Sequence, residues 1–372
     1  MLKVFEVSNF KSFDEWFVFD FSRPSEYQFN ADCVKSGVIN KALVYGINGC
    51  GKSNLGFAML DIIGHLTDNN SGSDCYENYT NAYNKSNLAE FKYTFQFDGS
   101  EVVYCYGKQA FDVLIYETLY IDGQVVVQAD RRNNDLPVVN LKGAENLQLD
   151  SGDLKISIIK YINNNTFFDL SNKVTNAFSA FVRFVEGMLF FRSLGNNNYI
   201  GYQTGSSDIL ADIVNRGNLE AFETFLNEAG INCQLEQEEL NGKPNIVFLY
   251  KEDMRYFYDV ASTGTKSLAL FYYWWQKLKE EAGVSFVFVD EFDAYYHHEL
   301  STLIVRHLKE ISPQVILTTH NTSIMTNDLL RPDCYFVMNN QEIKALSQCT
   351  EKDLRFAHNL EKMYKAGQFD AE

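Results

Sequence analysis

The run Ala42-Leu43-Val44-Tyr45-Gly46-Ile47-Asn48-Gly49-Cys50-Gly51-Lys52-Ser53 leaves this chain few folds to choose from. An apolar stretch meets a glycine-bearing turn, and Lys52-Ser53 open a segment in which Leu55, Ala58, Met59, Ile62, Ile63 and Leu66 recur at helical spacing. Strand, loop and helix in that order is the context of a phosphate-binding loop, and Gly46 through Ser53 matches G-x-x-x-x-G-K-S at every fixed position. The chemistry requires these residue types. Glycines let successive N–H groups turn inward around phosphate oxygens, and the helix N-terminus adds partial positive charge. Lys52 is placed to neutralise the β- and γ-phosphates of ATP, and the Ser53 hydroxyl to ligate Mg²⁺. Gly46, Asn48, Gly49, Cys50, Gly51 and Asn54 complete the expected nucleotide contacts, with Cys50 a small filler.

Two later runs bring polar groups to the ends of apolar segments. Ser285-Phe286-Val287-Phe288-Val289 leads into Asp290-Glu291, and Val315-Ile316-Leu317-Thr318-Thr319 leads into His320. An unbroken apolar run suits a parallel strand buried on both faces. Two carboxylates at its end are costly to bury without cations, so they belong at a ligand edge. Asp290 is then a candidate for the Mg²⁺ shell and Glu291 for the general base that polarises an attacking water. Between the loop and these runs, Ser262-Thr263-Gly264-Thr265-Lys266 precedes a helix with Leu268, Phe271, Trp275 and Leu278 on one face. Ser262 to Gly264 can be a second helix N-terminus aimed at phosphate, or a plain N-cap.

The phrase Val7-Ser8-Asn9-Phe10-Lys11-Ser12-Phe13 ahead of the phosphate loop resembles the opening of the SMC/RecF-type ABC ATPases. Ser262 to Lys266 resembles the S-x-G-T-K signature of the AAA15/OLD-like branch, and Asp353-Leu354-Arg355 through Gly367 the end of the RloA/AbiL-like phage-defence ATPases. The resemblance covers both ends and the last third; residues Thr67 to Met254 fit only in outline. It implies an α/β fold, a P-loop NTPase of ABC/SMC-head type with a β-meander subdomain and an inserted helical lid or arm. It implies an ATPase in which two chains sandwich two ATP–Mg²⁺ head to tail. Each site would take Lys52, Ser53, Asp290, Glu291 and the switch residue His320 from one chain and Ser262, Thr263 and Gly264 from the other. Lys11 becomes a candidate phosphate contact, set against a strand-edge lysine that solubilises its turn. The glutamine that lines Mg²⁺ in such ATPases has Gln96 as its nearest candidate, set against an ordinary strand glutamine. Asp293 resembles the start of an interface loop running to His297, and the pair His297-His298 suits an interface better than a metal.

The organisation expected is residues 1–67 as the first part of the core, 68–254 as β-subdomain and helical insertion, and 255–372 as the rest of the core with a C-terminal helix. Asp98-Gly99 and Asp122-Gly123 between alternating runs predict an antiparallel meander over Leu88 to Val127. Ile156 to Ile162, Val174 to Met188 and Ile209 to Leu226 read as helices, and Arg131-Arg132 as a solvated basic pair. A formal net charge of −17 argues against polyanion binding over the whole surface, which needs Lys and Arg at phosphates, but leaves a local basic channel for DNA open. Seven scattered cysteines without C-x-x-C spacing and no membrane-length apolar run point to reduced thiols in the cytoplasm and to no membrane partner. The family often accompanies a Toprim-type nuclease, so the resemblance implies a sensor or scaffold that controls a separate effector in antiphage defence, possible higher oligomers included. A RecF-like DNA-repair clamp is the rival reading, and a protein holding nucleotide as a structural ligand a third.

Overall fold

The computed structural model describes residues 1–69, 76–133, 135–145, 147, 156–192, 198–202, 208–251, 253–280, 283–294 and 298–369. Two seven-stranded sheets organise them. One is antiparallel and runs, in spatial order, Val138–Val139, Gln124–Asp130, Val113–Ile121, Ser100–Ala110, Ala89–Phe97, Leu2–Ser8 and Phe17–Asp20. Its meander closes at Asp98-Gly99 and Asp122-Gly123, whose residues all have positive φ (41° and 82°, 48° and 78°), the backbone of a tight two-residue hairpin turn. Val113 to Ile121 is one continuous strand. The N-terminal strand pairs with Ala89–Phe97, so this sheet crosses the boundary drawn from sequence at residue 67.

The other sheet carries the motifs. Its order is Asn198–Gly201, Met188–Arg192, Phe286–Asp290, Gln314–Thr319, Lys41–Tyr45, Tyr335–Met338 and Ile343–Ala345. The five inner strands are mutually parallel, and the two edge strands antiparallel. Strands this deep are buried at every position, as Lys41–Tyr45 and Gln314–Thr319 are, with apolar centres and polar groups toward their ends. The helices expected in the middle stretch are present at Ile158–Asn165, Lys173–Glu186, Ile209–Asn215 and Leu219–Glu228. One expectation is corrected there. Met188 does not end a helix; it opens the strand Met188–Arg192, which pairs in parallel with Phe286–Asp290. The helix stops at Glu186 with Gly187 at its cap, and the apolar run after it is too evenly hydrophobic for periodicity to separate strand from helix.

The helix Lys52–Leu60 lies between the sheets. Gly56 allows its close approach to the parallel sheet, since a Cβ there would stand 2.8 Å from Phe190 and 2.9 Å from Phe288. On the meander side, the Tyr93 hydroxyl donates to the carbonyl of Ala58 at 2.9 Å. Just past the helix, Asp61 pairs with Lys108 at 2.8 Å, both side chains fully buried, and accepts hydroxyl bonds from Tyr79 and Tyr106 at 2.9 Å each. Gln314 ties the sheets together through both backbone groups of Leu2. Among the described residues, no helix is long and apolar enough to cross a membrane.

Candidate functional site

Parallel strands deliver all their carboxyl ends to one edge, and the strand order decides which ends are neighbours. Gln314–Thr319 lies between Lys41–Tyr45 and Phe286–Asp290, so His320 emerges between the phosphate-loop lysine and the acidic pair. The Lys52 ammonium is 2.9 Å from His320 Nε2 and donates to the carbonyls of Gly46 at 2.9 Å and Ile47 at 3.3 Å. With Lys52 donating, the imidazole keeps its own proton on Nδ1. On the other side, His320 Nε2 is 3.8 Å from Glu291 Oε1. Burial lowers the Lys52 pKa, and the nearby carboxylates of Glu291 and Asp290 oppose that shift.

The loop has the backbone that its sequence demands. Gly49 and Gly51 have φ of 82° and 98°, and a Cβ on Gly46 would meet Cys50 Sγ at 2.5 Å and the Met338 carbonyl at 2.7 Å. Cys50 is buried as the filler expected of it. The helix begins at Lys52 behind Gly51 with no side-chain cap, and Leu55 is the first residue of its opening turn whose amide reaches a backbone carbonyl, that of Gly51. The Ser53 and Asn54 amides at this helix start reach no backbone carbonyl, which leaves donors that suit phosphate oxygens. Asn54 Nδ2 donates to Ser12 Oγ at 3.0 Å, and Asn48 is exposed.

The donor set also fits a hard divalent cation. Asp290 is buried, accepts from Thr318 Oγ1 at 2.8 Å and forms no ion pair among the described residues. A buried carboxylate is costly without a cation beside it, and Ser53, second residue of the helix Lys52–Leu60, carries another hard oxygen. No cluster of three or more His, Cys, Asp or Glu ligands occurs among the described residues.

The other sequence candidates fall outside this cluster. Lys11 has φ +46°, donates to the Glu77 carbonyl at 2.9 Å and lies over the Phe57 ring; its turn flanks the loop helix, with Ser12 Oγ beside Gly51. Gln96 bonds the Ser100 carbonyl at the meander turn, an ordinary strand glutamine. Ser262 accepts from the Thr265 amide at 3.1 Å and caps the helix Thr263–Glu280. Ser262 and Thr263 are exposed and Gly264 half-buried. Asp293 is held by Thr319 Oγ1 at 2.7 and 2.9 Å, and burial raises its carboxyl pKa. His298 begins a helix; His297 lies outside the described residues. Arg131 is more than a solvated base: it bonds Glu117 and the Ile156 carbonyl, while Arg132 pairs with Asp130.

Sequence reasoning passed over two residues at this edge. Thr318 bonds both acidic residues; the signal was a buried hydroxyl within an otherwise apolar run. Arg192 ends its strand in register with Asp290, its guanidinium 4.9 Å from the Phe57 ring centroid, and was hidden because its strand read as the end of a helix.

The family described as "AAA domain, putative AbiEii toxin, Type IV TA system" matches residues 164–326. Among solved structures, the SMC head domain from Thermotoga maritima is 15% identical with a TM-score of 0.44, covering 92% of this chain and 98% of that one. An SMC head bound to the C-winged helix domain of ScpA is 18% identical with a TM-score of 0.48, covering 93% and 98%. No curated protein matches the sequence. The strand order and the phosphate loop at the carboxyl edge define a P-loop NTPase fold, and the AAA-domain match spans the stretch that carries Ser262, Asp290, Glu291 and His320.

Proposed function

We propose that this ATPase hydrolyses ATP at the edge formed by Lys52, Asp290, Glu291 and His320, and closes that site with Ser262 to Gly264 of a second copy. The observation that carries the reading is convergence: residues from three separate parts of the chain meet within 3.8 Å steps, Lys52 to His320 to Glu291. The loop amides and Lys52 bind and orient the triphosphate, Glu291 accepts a proton from the attacking water, and His320 orients toward the terminal phosphate. Ser53 and Asp290 would hold Mg²⁺, which when bound offsets phosphate charge. Rate enhancement then comes from positioning and charge neutralisation. The exposure of the Ser262 turn supports its use by a partner copy, because a donor-rich helix start left at the surface is available to a second nucleotide.

In this reading the ATP cycle makes the protein a sensor or scaffold for a separate effector, such as a nuclease, in bacterial antiphage defence in the cytoplasm. The family description names a Type IV TA system, which is in keeping with a separate partner protein. Glu291→Gln tests the site. It removes the base but keeps size and polarity, so ATP binding should persist while turnover falls by roughly 10²- to 10⁴-fold. Wild-type turnover in that variant would remove Glu291 from the role.

A further inference from the structure

We propose that Thr318 is a positioning residue for hydrolysis, acting through the backbone of Glu291; the inference rests on the reading of Glu291 as the general base. Glu291 has φ +48°, an uncommon conformation for a residue with a side chain, and one that persists only where the surroundings impose it. Thr318 imposes it. The Glu291 amide donates to Thr318 Oγ1 at 2.8 Å, and the Phe292 amide donates to the Thr318 carbonyl at 3.2 Å. The hydroxyl's remaining bond follows from its valence. An amide can only donate, so Oγ1 accepts there and its own proton goes to Asp290 Oδ1, 2.8 Å away.

One buried side chain therefore holds the direction of the Asp290 carboxylate and the backbone of the next residue. Thr318 is fully buried, and a β-branched side chain in a strand has little rotamer freedom, so the clamp is rigid. Continuing the strand through Glu291 would send successive side chains to opposite faces. The left-handed backbone ends the strand instead, and Glu291 Oε1 comes to 3.8 Å from His320 Nε2. The histidine strand thus supplies His320 and, two residues earlier, the group that aims the base toward it.

Steady-state hydrolysis and equilibrium binding of a fluorescent ATP analogue, measured on the full chain, test the proposal. Thr318→Val keeps the shape and removes both hydroxyl bonds, so kcat should fall by about 10²-fold, the scale of a small misplacement of a reacting group. Analogue affinity measured without Mg²⁺, where Asp290 has no metal to hold, should stay within about 3-fold of wild type, because the loss belongs to the transition state. Thr318→Ser restores the hydroxyl and should recover most of kcat. Thr318→Ala replaces valine in the comparison should the valine variant not fold. Wild-type kcat without the hydroxyl, a serine variant as slow as valine, or a loss confined to affinity each overturns the role. Glu291→Gln, run alongside, separates the two claims. If it is inactive while Thr318→Val is not, only the positioning role falls; if it turns over normally, the assignment of the base has failed first.

Discussion

Gly56 shows how a single residue can be read with the wrong sign. In an exposed helix, glycine to alanine gains about 1 kcal/mol from helix propensity. Here a Cβ would stand 2.8 to 2.9 Å from the rings of Phe190 and Phe288, which are rigid and enclosed. Overpacking of that kind costs about 1 to 3 kcal/mol, so it outweighs propensity. Gly56→Ala should lower the thermal midpoint; a rise would mean that the helix and sheet can move apart. Lys41 provides a case governed by pH. Its ammonium donates to the carbonyls of Ile311 and Pro313, and burial pulls its pKa down to about 7 from the ordinary lysine value of 10.5. Between those values the unfolded chain keeps the proton and the folded chain releases it, so this contribution to stability rises with pH across the window. Urea unfolding of wild type and Lys41→Met at pH 7, 8 and 9 should show the difference moving in favour of wild type. An unchanging difference would mean that Lys41 titrates normally.

The helix Lys52–Leu60 couples two sheets, and its exit is where the coupling is strongest. Asp61 and Lys108 are both fully buried, with two tyrosine hydroxyls completing the carboxylate's shell. Removing one partner of such a pair leaves a charge in a medium that cannot solvate it, at a cost of about 3 to 5 kcal/mol. Lys108→Met should be destabilised on that scale in denaturant unfolding, and Asp61→Asn added to it should recover part of the loss. If the double variant is no better, the pair's worth lies in packing rather than charge. The element scale also explains what the sequence concealed. Met188 to Arg192 is an apolar run that follows a helix of 14 residues, and neither its length nor its composition marks the change of structure. Its identity is decided by the neighbouring strand Phe286–Asp290, nearly a hundred residues away.

For the whole molecule, the proposed sandwich makes a test by complementation possible. Lys52→Ala damages the phosphate loop and Ser262→Arg blocks the signature turn. In a head-to-tail dimer, a mixture of the two chains contains one site with both walls intact. Each variant alone should be inactive, and an equal mixture should regain about a quarter of wild-type activity, because about half of randomly paired dimers are mixed and each of those has one intact site of two. Light scattering should find dimers when ATP is added to Glu291→Gln. An active Ser262→Arg chain on its own would mean that the turn serves only to cap its helix.

Whereas His320 was singled out by a resemblance, local chemistry was enough to single out the phosphate loop, the acidic pair and the meander turns. Each depends on residue types within a few positions: glycines at positive φ, a carboxylate at the end of an apolar run, Asp-Gly between alternating strands. Neither Thr318 nor Arg192 could be assigned that way, nor could the approach of His320 to Lys52. Those depend on strand order. The sheet places Gln314–Thr319 between two strands that are distant in the chain, and only hydrogen bonding across that sheet determines which strand ends share an edge. Sequence thus determined which chemical groups this protein can offer to a nucleotide, and tertiary structure decided which of them stand within reach of one another.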